Sequence, residues 1–218
     1  MITTDKPLGF RLDEAPGAML DNAVSCFQSC RTTVRTTVKR LMILLWSAVF
    51  AMTAAASQAG ANERDLENTL YLDLADGRVV IELLPEVAPQ HVERIKTLAR
   101  QGFYDGIIFH RVIDGFMAQS GDPTGTGRGG SSMPDLAAEF SAVPFERGTL
   151  GMARTQDPNS ANSQFFINFV RTPHLDRQYT VWGQVVEGME YVDALPRGQP
   201  PRNPASIVSL RVAADVDG

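Results

Sequence analysis

The sequence predicts a mainly-β domain, a barrel or sandwich of short strands with helices covering its ends, over residues 62–218. Apolar residues alternate with period two in 68–74 and again in 78–83, as in strands with one buried face. Further short apolar runs occupy 107–113, 115–119, 149–153, 164–169 and 180–186, with Gly- and Pro-rich turns between them. Only two stretches show helical spacing, and nothing shows the β–α alternation of a nucleotide-binding fold.

In chain order, residues 1–59 read as an extension and an export signal. Arg31, Arg35, Lys39 and Arg40 precede the apolar run 41–52, and small residues from Thr53 to Ala59 follow it. A basic segment, an apolar core and an A-x-A-like zone are the parts of a secretory signal peptide, with cleavage expected after Ala56 or Ala59. The apolar core is shorter than the roughly 20 residues a spanning helix needs. An uncleaved N-terminal anchor is the rival reading, and the one route by which this chain would touch a membrane. The first 30 or so residues carry acids and two prolines and hold the signal unusually far from Met1. Translation is therefore expected to start downstream, at Met19 or at a non-Met codon nearer Val38, and the product to reach a bacterial periplasm. Cys26 and Cys30 lie before the apolar run, lack the C-x-x-C redox spacing and have no neighbours to complete a zinc site.

After the signal, two alternating runs flank Asp76-Gly77, a hairpin turn pair. Pro89 opens a helix that places Val92, Ile95, Leu98 and Ala99 on one face, with Gly102 just past its end as a left-handed cap. A second helix is expected from Met189 to Leu195, ended by Pro196, and a last strand over 206–212. No repeat or coiled-coil pattern is present, so a monomer is expected.

Charge and residue inventory exclude several function classes. Residues 1–59 sum to +2 and the remainder to −7. An acidic domain does not suit phosphate backbones, so no nucleic-acid partner is expected. There is no His/Cys metal cluster, no G-x-S-x-G elbow and no P-loop lysine. A hydrolase or carbohydrate-binding barrel would need a carboxylate pair or a nucleophile set, and none stands out. Lys96 is the only lysine after residue 59, at a helical position expected to face solvent. His110 is expected to be a satisfied, partly buried strand histidine rather than a general base. Gly125–Gly130 does not open a helix, which favours a mobile surface turn over a phosphate cradle.

One set of segments carries more. Phe109-His110-Arg111-Val112-Ile113-Asp114-Gly115-Phe116-Met117-Ala118-Gln119-Ser120-Gly121-Asp122 resembles the signature strand pair of the cyclophilin family. Gly151–Arg154, Ser163–Ile167, His174–Asp176 and Val181–Val185 are similar to further blocks of that family, in its order and spacing. The resemblance runs from about residue 68 to 212. It implies a closed eight-stranded antiparallel β-barrel capped by two α-helices, and a peptidyl-prolyl cis-trans isomerase acting on proline-containing polypeptides.

The resemblance also assigns roles. Rotation about an X-Pro bond faces an amide barrier of about 18–20 kcal/mol, and a donor aimed at the prolyl nitrogen weakens the resonance that sets it. Arg111 is given that role, and a guanidinium suits it because it stays charged at any working pH. Phe116 and Gln119 complete the expected catalytic set, with Gln119 holding the substrate backbone or orienting Arg111. Phe116, Met117, Phe166 and Leu175 would line the proline slot, and Tyr179 its rim. The backbone of Ala153 and Arg154 would pair with an extended peptide. No metal and no cofactor are implied. Arg154 stands where many eukaryotic members carry Asn, and His174 where cyclosporin-sensitive members carry Trp. Weak cyclosporin binding with retained activity is expected. The alternative is a proline-peptide binding module or chaperone that keeps the fold without turnover.

Overall fold

In the computed structural model, residues 64–217 are described. The expected export signal and its cleavage zone lie outside them. Period-two alternation becomes pairing in β1 (Thr69–Leu74) and β2 (Gly77–Leu83), where Leu70 faces Ile81 and Leu72 faces Val79. The hairpin turns on Ala75-Asp76, one residue earlier than expected, and Gly77 pairs with Leu74. Close approach explains the glycine, since a Cβ there would lie 2.3 Å from the Tyr191 ring.

Helix α1 (Pro89–Arg100) starts on proline, whose missing N–H has no intrahelical partner to lose. It buries Val92, Ile95, Leu98 and Ala99, as the spacing predicts. Gly102 takes φ +66, and the amides of Gly102 and Phe103 bond back to Ala99 and Leu98, each at 3.0 Å. The other end is held from far along the chain. The Glu139 carboxylate accepts from the amides of Gln90 (3.2 Å) and His91 (3.1 Å), and from the His91 ring Nδ1 at 2.6 Å. Lys96, expected in solvent, is buried instead, with its ammonium 2.5 Å from the Glu67 carboxylate.

The later runs become β3 (Arg111–Ile113), β4 (Met117–Ser120), β5 (Thr149–Met152), β6 (Phe165–Asn168), β7 (Val181–Glu187) and β8 (Ser209–Val212). One antiparallel sheet results, in the order β3-β4-β6-β5-β7-β2-β1-β8. It curls, yet its end strands β3 and β8 share no ladder; single bridges, Ile108 to Ser206 and Val112 to Gly198, connect their flanks. Thus the strand number matches the expected barrel, while ladder closure is not seen. Pro196, Pro200, Pro201 and Pro204 lie in the segment that would have to pair, and proline gives no ladder amide. The second helix, α2 (Met189–Asp193), stops short of Leu195, and an unexpected turn of helix, α3 (Ala214–Asp217), follows β8.

Alternation along β6 sorts side chains into two clusters. Phe165 and Ile167 join the main core with Leu72, Ile81, Leu150 and Trp182. Phe166 joins a smaller cluster with Met117, Phe145, Leu175 and Val181. His110 precedes β3 rather than lying in it, and although buried, neither of its ring nitrogens has a hydrogen-bond partner among the described residues. Burial pushes it below its ordinary pKa, so it is a neutral space-filler rather than a satisfied histidine.

The His91–Glu139 clasp gives stability a signed pH dependence. Burial pushes His91 below its ordinary 6.5, against the pull of Glu139. Burial works to raise Glu139, but the bonds from His91 and the two amides hold it below 4.5. At both sites the unfolded chain binds protons more readily. The contribution is therefore complete above about pH 6.5 and is lost as pH falls through each group's window. Urea midpoints are expected to fall between about pH 7.5 and about pH 5, with His91→Gln flattening the upper part of that decline.

Candidate active site

Register assembles the site. Arg111 on β3 pairs with Gln119 on β4, Gln119 with Phe166 on β6, and Phe166 with Gly151 on β5. Directly opposed residues share a face, so these four form one row across the sheet. The turn between β3 and β4 needs Gly115, whose φ is +64. Gly151 is needed for space: a Cβ would lie 2.3 Å from the Phe166 ring and 2.7 Å from Phe145. Those two rings stack 5.6 Å apart, and Tyr179 meets Phe166 edge-on at 5.7 Å.

Over this row lies a cavity of about 110 Å³. Arg111, Phe116, Met117 and Gln119 line it from the β3–β4 hairpin, and Phe166 from β6. Ala153 and Arg154, just after β5, form one wall; Leu175 and Tyr179 form another. The structure thus brings together nine of the ten residues singled out from the sequence. His174 does not line the cavity; it is exposed, with its ring 5.6 Å from that of Phe116.

Hydrogen bonds give the polar side of the cavity a direction. The Gln164 amide nitrogen donates to the Gly129 carbonyl at 2.8 Å, which leaves its oxygen to accept from Gln119 at 2.8 Å. Gln119 in turn presents its oxygen to Arg111 Nη1 at 3.3 Å. Because a backbone carbonyl can only accept, the sense of every amide in the series is set from that end. Arg111 Nε donates to Gln199 Oε1 at 3.2 Å, and its guanidinium carbon lies 5.9 Å from the Phe116 ring centroid.

Arg154 braces two walls. Its Nη1 donates to the Thr155 carbonyl (2.8 Å), its Nη2 to the Gln178 carbonyl (2.9 Å), and its guanidinium lies 4.4 Å from the Tyr179 ring centroid. The amide of Ala153 is engaged with the Gln164 carbonyl at 2.9 Å, so it is not the group that would pair with a peptide. Beyond Gln119, Ala153 and Arg154 opens a second cavity of about 400 Å³ walled by Gly127–Ser131. The Gly-rich segment there is organised rather than a loose turn. The buried Asp122 carboxylate accepts from the amides of Thr124 (2.8 Å), Gly127 (2.6 Å) and Arg128 (3.1 Å). Burial works to raise Asp122, but the hydroxyl of Thr124 and these amides hold it at about 2.

Three contributors escape a reading of the sequence. Phe145 looks like any loop aromatic until its stacking partner is known. Gln164 lies inside a recognised block, just ahead of β6 and two residues before Phe166, and that period-two spacing is the signal for a polar neighbour on the same face. Gln199 gives no signal, being 88 residues from Arg111.

Comparison with known proteins agrees with this architecture. The family described as cyclophilin type peptidyl-prolyl cis-trans isomerase/CLD matches residues 69–212. A Brucella suis protein described as a probable peptidyl-prolyl cis-trans isomerase is 48% identical over 187 residues, spanning 78% of this chain and 95% of that protein. Mouse peptidyl-prolyl cis-trans isomerase-like 3 is 44% identical over 135 residues, spanning 59% of this chain and 81% of that protein. Among solved structures, a cyclophilin from Hirschia baltica is similar with a TM-score of 0.65 at 32% identity, over 70% of this chain and 76% of that one. A Cryptosporidium parvum cyclophilin type isomerase, crystallised in the presence of the dipeptide Ala-Pro, gives a TM-score of 0.63 at 29% identity, over 66% of this chain and 98% of that one. The chain belongs to the cyclophilin-type peptidyl-prolyl cis-trans isomerases.

Proposed function

We propose that this protein accelerates cis–trans rotation about X-Pro bonds in exported polypeptides as they fold, with the Arg111 guanidinium donating to the prolyl nitrogen. The carrying observation is that Arg111 lines the same small cavity as Phe116, Met117, Phe166 and Leu175. A proline ring seated on those apolar side chains would bring its nitrogen to the edge that Arg111 and Gln119 form. As the amide twists, that nitrogen regains a lone pair and becomes an acceptor. A donor held there stabilises the twisted state more than either planar state, which is the condition for catalysis.

The roles within the slot follow from the chemistry of its walls. Phe166, backed by Phe145 and Tyr179, supplies a rigid face for the ring, and Met117 an adaptable one. Gln119 is held at both ends, its amide nitrogen donating to Gln164 and its oxygen accepting from Arg111, with one further N–H and one lone pair left over. Orientation of Arg111 is therefore its better-supported task. The peptide would run along the wall of Ala153 and Arg154, using the backbone of Arg154 rather than the Ala153 amide. An exported substrate pool rests on the basic-then-apolar segment 31–52 and the small residues that follow it.

On a short Ala-Pro peptide followed by exchange NMR, Arg111→Ala is expected to lower the catalysed rate at least about a hundredfold, the scale of losing one pre-aimed donor. Equal rates would instead favour a binding module without turnover. Wild type is expected to bind cyclosporin weakly, because the exposed His174 ring offers neither an indole N–H nor its apolar area. His174→Trp should tighten that binding in a fluorescence titration. N-terminal sequencing of the protein from a periplasmic fraction should begin at Ser57 or Gly60; an N-terminus ahead of residue 41 in a membrane fraction would defeat cleavage and favour an anchor.

A further inference from the structure

We infer that Gln199 is a positioning residue for Arg111, acting from the loop between α2 and β8. The inference rests on the reading of Arg111 as the donor to the prolyl nitrogen. The loop is not loosely placed beside β3. Val112 and Gly198 exchange two backbone hydrogen bonds, both 2.8 Å, so the residue after Gly198 is delivered next to the residue before Val112. The turn that follows closes on glycine: a Cβ on Gly198, at φ +150, would lie 2.6 Å from Pro201 Cα and 2.9 Å from the Pro200 carbonyl oxygen.

Arg197 secures the other side of the pair. Its Nε donates to Asp114 Oδ1 at 3.1 Å, and its Nη1 to the carbonyls of Asp193 (2.9 Å) and Leu195 (2.6 Å). The Arg197 guanidinium lies 4.4 Å from the Phe169 ring centroid. The loop is thereby tied to the β3–β4 turn, to the end of α2 and to the segment after β6.

Held in this way, Gln199 Oε1 accepts from Arg111 Nε at 3.2 Å, while Gln119 Oε1 accepts from Nη1 at 3.3 Å. Nε and Nη1 lie on different edges of the planar group, so two acceptors fix its plane where one would leave it free to swing. Among the described residues no acceptor takes Nη2, which leaves that edge for substrate. Gln199 does not line the 110 Å³ slot. Its loss should therefore leave ground-state binding by Phe166, Met117 and Leu175 intact and misalign only the donor. That separates kcat from KM.

The test compares Gln199→Leu and Gln199→Glu with wild type, and repeats Gln199→Leu in an Arg111→Lys background, which lacks the Nε–H. Gln199→Leu is expected to lower kcat about fivefold with KM within about twofold, the size of one exposed, charge-assisted hydrogen bond. Gln199→Glu, which keeps an acceptor oxygen, should recover most of that loss. In the Arg111→Lys background Gln199→Leu should add little. Thermal unfolding of Gln199→Leu should match wild type, since the side chain is exposed. A wild-type kcat for Gln199→Leu, a KM that rises in step with the loss, no recovery by Gln199→Glu, or an additive loss with Arg111→Lys would each overturn the assignment. The two levels stay separable. A fully active Arg111→Ala protein overturns the donor reading, whereas an inactive Arg111→Ala protein beside a fully active Gln199→Leu protein overturns only the positioning.

Discussion

Side-chain alternation on β4 and β6 means that every residue on the functional face is bound to a neighbour on the core face. Ala118 and Ile167 pair with one another beneath the row in which Gln119 pairs with Phe166, and Leu150 pairs with Ile167 beside Gly151. A slip of one residue in either strand would drive Gln119 or the wrong phenylalanine into the main core. The apolar row therefore holds the polar row in register, and the geometry of Arg111 depends on residues it never touches. Gly151 is the tightest point of this arrangement, since the stacked rings of Phe145 and Phe166 occupy the volume any side chain would need.

Against that fixed floor, the polar parts of the site are held by directional bonds rather than by packing. The series from the Gly129 carbonyl through Gln164 and Gln119 reaches Arg111 from one side, and Gln199 reaches it from the other. No carboxylate takes part in either bond to Arg111. Neutral amides orient the cation while leaving its field directed at the slot. The loop that supplies Gly129 is itself kept in shape by the buried carboxylate of Asp122, so the acidic charge nearest that segment is satisfied within its own turn.

Much of this was legible in the sequence because local rules and family spacing agree. The strands of 68–74 and 78–83, the proline-led helix at 89 and its Gly102 cap all follow from periodicity and backbone chemistry. The site residues were found through the blocks that hold Arg111, Phe116, Gln119 and Phe166, which the sheet then brings into one row and one slot. What escaped depends on contacts between distant segments. Lys96 reads as a solvent-facing helical residue until Glu67 is known to lie beside it. His110 reads as satisfied because sequence cannot count hydrogen-bond partners. Ladder closure between β3 and β8 is not seen among the described residues, because the segment facing β3 is proline-rich and supplies single bridges instead. The export signal lies outside the described residues, and Gln199 enters the site only through pairing between Val112 and Gly198.

The position of Lys96 reaches beyond stability. It is the sole lysine among residues 64–217, its side chain is 9% exposed, and its ammonium is paired with Glu67. The outer surface of the domain consequently carries its positive charge as guanidinium, and acylating or cross-linking reagents aimed at side-chain amines find almost nothing to react with while α1 is in place. An acyl group appearing on Lys96 would mark the moments when the helix lifts away from Leu66–Asn68. The residue is a single native site at which local opening can be read, apart from the face where proline would be turned.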